Sequence, residues 1–353
     1  MNKVMLDDLL KKPLPFFNGS QDGIVIYSKL SLMRNLQGFN FPAAASEEIL
    51  KHIRHTIKEA VISSGILGKD ALLLDWETLS ETDKSALAER RMADHEFFLP
   101  GSAKAIFIRA DEKFYLTVNN RNHLTLQMIS AGLQWRRMWQ FANKSDDKLN
   151  QHLTYAFDEN LGYLAPCPAD MGTGLRLSAL LHLPALSLAG GFAGDIDGFT
   201  ALNTTLSDPD GNALLENSGS LYQITTNLTI DDSEEEMVSD MEKNIAHLSM
   251  LENNARQELL KKDSSLLLDY VGKAYGNLRH CYKISAAEAM ELIFRLRFGV
   301  ELGVFRNIDL PMLCSLLNQI GDAHIRREFG EDISDMEAEI HRAMLCRNAF
   351  NQK

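Results

Sequence analysis

The residues best equipped for chemistry lie in a few short segments. Val118-Asn119-Asn120-Arg121-Asn122-His123 places an imidazole two residues from a guanidinium, among amides. Histidine moves protons near neutral pH, whereas a guanidinium with a pKa above about 12 stays charged and acts on anions. The stretch from Leu161 to Arg176 contains Cys167 and ends on a second guanidinium. A thiol with an imidazole, Cys167 with His123, would suit a nucleophile and its base. No oxyanion site or leaving-group pocket accompanies them, so a cysteine kept for packing is the better account. His52 and His55 are one helical turn apart, two metal ligands without a third. Asp208-Pro209-Asp210-Gly211-Asn212 has the acids of a calcium loop but not its closing acid, and is expected to form a tight turn. No metal site is expected.

The whole chain narrows the field of functions. Its 353 residues suffice for two structural units, and 45% apolar with 24% charged residues is ordinary for a globular protein. A net charge of -12 argues against binding nucleic-acid backbones. Acids at Asp7 and Asp8 interrupt the start where an export signal needs an apolar run, so a cytoplasmic location is expected. Cys167, Cys281, Cys314 and Cys346 lie far apart, without metal-ligand spacing, and are expected to be reduced. The uncharged stretch from Leu177 to Gly194 contains His182, Pro184 and paired glycines, which favour a buried strand or helix and a turn over a membrane span.

Positioning these residues requires both sheet and helix. Gly23-Ile24-Val25-Ile26-Tyr27 predicts a strand, and Ser46-Glu47-Glu48 predicts a helix running to about Ser63, capped by Ser46. Residues 105–109 and 113–118 predict a strand pair, with a third strand from Leu124, so that Asn119 to His123 falls at a strand end. Ser233-Glu234-Glu235-Glu236 and Ser285-Ala286-Ala287-Glu288 are capping boxes. The second helix is expected to stop near Gly299 or Gly303. Trp135 and Trp139 are expected to face a core beside exposed Arg136 and Arg137. The fold class is α+β: a mixed unit over residues 20–255, then a helical unit over 256–350.

Leu161-Gly162-Tyr163-Leu164-Ala165-Pro166-Cys167-Pro168-Ala169-Asp170-Met171-Gly172-Thr173-Gly174-Leu175-Arg176 closely resembles Leu-Gly-Tyr-Leu-Thr-x-Cys-Pro-Thr-Asn-x-Gly-Thr-Gly-Leu-Arg of the ATP:guanido phosphotransferases. His182-Leu183-Pro184-Ala185-Leu186 continues the match, and Tyr275-Gly276, Arg297-Phe298-Gly299 and Leu302-Gly303 resemble the bacterial protein-arginine kinase branch. The resemblance spans about residues 20 to 350. It implies the guanido-kinase fold, an antiparallel sheet flanked by helices, followed by a helical dimerisation region. The implied cofactors are ATP and Mg2+, if activity remains. The implied partners are a second copy, a zinc-containing activator protein and Clp protease components.

Residue by residue, the implied site is depleted. Where the family has Asn-Glu-Glu-Asp-His, this chain has Asn119-Asn120-Arg121-Asn122-His123, with Arg121 in place of the catalytic carboxylate. The arginines that would hold nucleotide phosphates correspond to Lys29, Ser31, Thr125, Arg176 and, counting back without gaps from Gly219, Asp208; Ala213 then replaces a substrate-loop glutamate. The resemblance also implies His123 among the nucleotide-binding residues and Asn120, Asn122 and Cys167 at the catalytic centre, and Arg34 matches just outside the cage. Arg342-Ala343 keeps part of a phosphoarginine-binding segment but lacks its leading arginine. Charged hydrogen bonds are worth about 1.5–3 kcal/mol each, so three losses remove roughly 4–9 kcal/mol, against about 8 kcal/mol for micromolar affinity. The leading expectation is a catalytically impaired homologue with a binding or regulatory role in protein quality control. Two alternatives stand beside it. One is an active, divergent arginine kinase using Lys29, Arg176 and relocated groups, with Arg90, Arg91 or Arg121 as compensating ligands and Asp170 or Glu216 as the carboxylate, and the other is an anion or phosphoarginine module built on Arg121 and Arg91.

Overall fold

The computed structural model describes residues 2–17, 23–190, 204–207, 220–227 and 233–351. Alternating side chains organise it. Its strands are β1 (Val25–Arg34), β2 (Leu72–Asp75), β3 (Ala105–Ile108), β4 (Phe114–Val118), β5 (Leu124–Ala131), β6 (Phe157–Asp158), β7 (Gly162–Tyr163), β8 (Leu175–His182), β9 (Thr204–Ser207) and β10 (Leu221–Thr226). Eight of them form one sheet in the order β2-β3-β4-β5-β1-β8-β10-β9, with every neighbouring pair antiparallel, and β6 and β7 form a separate ribbon.

Because successive strand residues point to opposite faces, the central strands divide cleanly. Leu30, Leu32, Leu116, Leu126, Leu177 and Ile224 enter one core, where the helices Glu47–Ser64, Trp135–Asn150 and Glu234–Lys262 pack. Their neighbours Lys29, Ser31, Thr117, Thr125, Gln127, Arg176, Ser178 and Gln223 face a cleft on the other side. Beyond that polar patch, Tyr27, Ile129, Leu180 and Leu221 on the same face join a second core with the C-terminal helices.

The expected caps form. Ser46 accepts from the Ile49 N–H, and Ser233 with Glu236 closes a full capping box on Glu234–Lys262. Ser285 caps Ala286–Glu301, which ends between the two glycines expected to stop it. Trp135 and Trp139 are buried, and Arg136 is exposed and paired with Glu242. The uncharged stretch supplies β8 and the short Pro184–Leu188 helix, and no described helix is long and apolar enough to cross a membrane.

Residue 255 lies inside the continuous Glu234–Lys262 helix, and Asp263 serves both as its C-cap and as the N-cap of Ser264–His280. The N-terminal helix Asn2–Leu10 and its following turn belong to the C-terminal layer. The Leu14 N–H donates to Asn318 Oδ1 at 3.0 Å, the Phe17 carbonyl accepts from the Cys314 thiol, and Arg327 pairs with Asp7.

Candidate functional site

The Asn119–His123 turn joins β4 to β5, and its side chains are sorted by burial. Asn119 adopts a positive φ of 54°, which asparagine tolerates. Its amide donates to the Leu50 and Ala103 carbonyls, both at 2.9 Å. Asn122 accepts from Asn35 at 2.7 Å. His123 is fully buried: Nδ1 accepts from the Leu36 N–H at 3.0 Å, and Nε2 faces the Asn40 carbonyl at 2.9 Å. With Nδ1 accepting, the proton belongs on Nε2, and burial holds the pKa below the usual histidine value. Placed among nucleotide ligands by the sequence, His123 instead pins the turn from behind, with both ring nitrogens on backbone.

Asn120 and Arg121 are left to face the cleft, whose volume is about 1060 Å3. Arg121 is bonded to Glu96 and stands 3.9 Å from Asp170. Glu96 belongs to the short His95–Phe98 helix; Asp94 caps it and also accepts from Asn120 at 3.4 Å. Lys104 holds the other end, its ammonium donating to the Glu96, Phe97 and Leu99 carbonyls.

The cleft floor assembles the proposed phosphate-cage positions from neighbouring strands. Ser31 is opposite Arg176 in register, Lys29 is opposite Ser178, and Thr125 is opposite Met33. Lys29, Ser31, Thr125, Arg176, Asn120, Arg121 and Asn122 all line the one cleft. Desolvation lowers the Lys29 pKa to about 8, with nearby Asp94 opposing the shift and Arg91 adding to it. Arg176 bonds to Asp170, a carboxylate only 1% exposed at the end of the Pro168–Asp170 turn. Cys167 caps that turn through its backbone and is not among the residues lining the cleft. Asp208, Ala213 and Glu216 lie outside the described residues.

Asp170 is the contributor whose role the sequence did not expose. Its negative charge, where the family pattern has a neutral asparagine, is what turns it into an anchor for Arg176 and a neighbour of Arg121. Asp170, one candidate carboxylate for the chemistry, is engaged by Arg176. Arg90, by contrast, is removed from the candidates. It is fully buried, donates to Glu112 at 2.6 Å, and bonds to the Lys12 carbonyl, away from the cleft. Arg342 is likewise enclosed, held by the Ile320 and Ile284 carbonyls and by Asp322.

Glycines explain why the Leu161–Arg176 segment fits together. Gly162 has φ +71°, and its Cα faces the Gly172 backbone too closely for a side chain. At Gly174 (φ +66°), a Cβ would stand 2.6 Å from the Met33 carbonyl and 2.8 Å from the Arg34 guanidinium. These positions serve close backbone approach rather than chemistry.

Residues 52–255 match the ATP:guanido phosphotransferase C-terminal catalytic domain, and residues 264–353 match the protein-arginine kinase McsB C-terminal domain. The chain belongs to the ATP:guanido phosphotransferase family. It is 32% identical to a protein-arginine kinase of Pelotomaculum thermopropionicum, over 94% of each chain. A protein-arginine kinase of Halothermothrix orenii is 29% identical over 98% of this chain and 99% of its own. Two solved guanido kinases share the fold. A lombricine kinase aligns at 17% identity with a TM-score of 0.58, over 70% of this chain and 71% of its own. The duplicated taurocyamine kinase of Schistosoma mansoni gives 18% and 0.61, over 78% of this chain but only 40% of its own.

The family's chemistry is ATP-dependent phosphoryl transfer, usually with Mg2+. Such a site needs cations free to meet phosphate oxygens. Among the described residues the cleft presents Lys29, Arg91, a carboxylate-bound Arg176, a carboxylate-bound Arg121, and neutral Ser31 and Thr125. Ser31 and Thr125 are the two cage positions in the cleft that carry no charge.

Proposed function

We propose that this family member has lost phosphoryl transfer and acts as a binding or regulatory protein in protein quality control. The observation that supports it is the internal matching of charge. Arg121, at the position of the family's catalytic carboxylate, is held by Glu96, and Arg176 is held by Asp170. A guanidinium at that position repels an incoming arginine and cannot accept its proton.

By kinship with the protein-arginine kinases, the proposed setting is the cytoplasm and the proposed assembly is a homodimer through the C-terminal helices. The proposed partners are an activator protein and Clp protease components. Calorimetry with Mg-ATP and with phosphoarginine, alongside an arginine phosphorylation assay, tests the central reading. The expected result is no saturable ATP binding and no phosphorylation. Robust phosphorylation of arginine that disappears in Arg176→Ala would overturn it. Phosphoarginine binding lost in Arg121→Glu would identify the cleft as an anion module instead of a silent scaffold.

A further inference from the structure

Beneath the C-terminal helices the cleft changes character within one step along the sheet. Two rungs of paired side chains make the change. In the first, Thr225 is opposite Ser178 and Ser178 is opposite Lys29; in the second, Gln223 is opposite Leu180 and Leu180 is opposite Tyr27. All six line the cleft. The rungs are two residues apart, roughly 7 Å along the strands. Tyr27 and Leu180 share the second core with Phe294 and Leu317, and the partly buried Phe17 and Met290 pack against it. Met290 and Phe294 are four residues apart on the Ala286–Glu301 helix and so share the stripe that faces the cleft.

The first rung carries a charge that the cleft does not answer. Among the described residues none hydrogen-bonds or ion-pairs with the Lys29 ammonium, and the Tyr115 ring centroid is 5.9 Å away. The acids of the cleft are engaged elsewhere. Asp170 pairs with Arg176, Glu96 with Arg121, and Glu89 with His324 and the Ala323 N–H, while Asp94 accepts from the Phe97 N–H and from Asn120. The side chains of Ser31, Ser178, Gln223 and Thr225, which also line the cleft, make no hydrogen bond to a described residue. Uncommitted donors thus surround a cation without a carboxylate, an arrangement suited to a monoanion.

We propose that the cleft receives the C-terminal end of a peptide or protein chain whose last residue is apolar. The inference rests on the cleft being a binding site, as proposed above, and names its ligand. The terminal carboxylate meets Lys29 with the Ser31 and Ser178 hydroxyls, the last side chain enters the apolar rung at Tyr27, Leu180 and Phe294, and the preceding peptide groups meet Gln223 and Thr225. One terminal residue carries both the charge and the apolar group across the roughly 7 Å between rungs. A fatty acid has the same head, but its tail would cover the Gln223 amide without giving it a partner. The cleft volume of about 1060 Å3 also exceeds the roughly 300–1,000 Å3 of small-molecule sites and has room for several residues.

Fluorescence anisotropy on the intact chain tests this with labelled Gly-Ser-Gly-Ser-Ala-Leu and its Phe-ended and Met-ended forms, each as free acid and as C-terminal amide. At least one free acid should bind saturably, and its amide should bind about tenfold or more weakly, the effect of losing one charged hydrogen bond. Lys29→Met should bring acid and amide to equal affinity, and Met290→Glu should weaken the acid about tenfold by placing a charge in the apolar rung. No saturable binding by any of the three acids, or equal binding of acid and amide by the parent chain, would overturn the proposal. Displacement of the peptide by an equal concentration of octanoate would overturn it in favour of a lipid ligand. The parent chain's acid and amide titrations decide the matter even where a variant fails to fold. An arginine phosphorylation assay on the same sample keeps the two proposals apart: absent peptide binding without phosphorylation removes only the ligand, whereas phosphorylation removes the binding-protein function itself.

Discussion

Arg34 and Arg176 occupy adjacent strands of one sheet and match the same family's sequence, yet they do opposite work. Arg34 is 2% exposed. Its Nε and Nη2 donate to Asp146 at 2.9 and 2.7 Å, Nη1 bonds to the Met33 and Thr173 carbonyls, and the guanidinium lies 3.4 Å from the Tyr163 ring centroid. Arg176 has a side chain 35% exposed and one carboxylate partner. The difference separates two reasons for a residue to persist: Arg34, with Asn35 and His123, knits the turn and strands together, whereas Arg176 faces the space where substrates would sit. Retention of a motif residue is therefore no sign of retained chemistry until its partners are known.

That contrast is open to direct tests. Arg34→Ala should strip a buried ion pair of one member and cost about 3–5 kcal/mol in urea unfolding; a loss below about 1 kcal/mol would erase the distinction from Arg176. His182 offers the reverse case, a buried side chain with both ring nitrogens unpaired. It packs against Phe294 and Phe298. His182→Phe should gain about 1–2 kcal/mol by removing orphaned polar atoms.

The same residue sets a pH dependence. Desolvation, then Arg297 and Arg256, drive the His182 pKa well below 6.5, and burial lowers that of His123. The unfolded chain binds more protons below about pH 6.5, so stability falls as pH drops through that value toward the depressed folded pKa. Melting curves from pH 7.5 to 5.5 should show this loss, and His182→Phe should flatten it. Arg176→Ala, by contrast, should remain within about 1 kcal/mol of the parent, as partly exposed pairs contribute little. Last, Asp170→Asn should free Arg176 and raise affinity for inorganic phosphate about tenfold, equivalent to about 1.4 kcal/mol, when titrated by calorimetry.

Much of this was legible because it is local. Ser46, Ser233 and Ser285 announce their helices within four residues, and the alternation along β1 and β8 separates Lys29, Ser31 and Arg176 from Leu30, Leu32 and Leu177. Convergence of Lys29, Ser31, Thr125, Arg121 and Arg176 on one cleft followed from the resemblance, since no spacing rule joins residues on different strands. The partners were hidden for that reason. Nothing near Arg90 points to Glu112, nothing near Arg121 points to Glu96, and the Asn2–Leu10 helix gives no local sign of docking on C-terminal helices. His123 looked chemical because imidazoles often are; only the Leu36 N–H and the Asn40 carbonyl reveal it as a fastener.

The Glu234–Lys262 helix has a mechanical consequence. Its 29 residues span about 43 Å at 1.5 Å per residue, with one end under the sheet and the other against the C-terminal helices. Near its far third, Glu252 accepts the Ala185 and Leu186 N–H groups of the short Pro184–Leu188 helix that follows β8 and also holds Arg256, which reaches Glu301 at 3.1 Å. The helix thereby ties the segment just beyond β8 to Glu301 of the helical layer. A chain cut after residue 255 would sever it between Glu252 and Arg256 and strand a buried carboxylate without its cation.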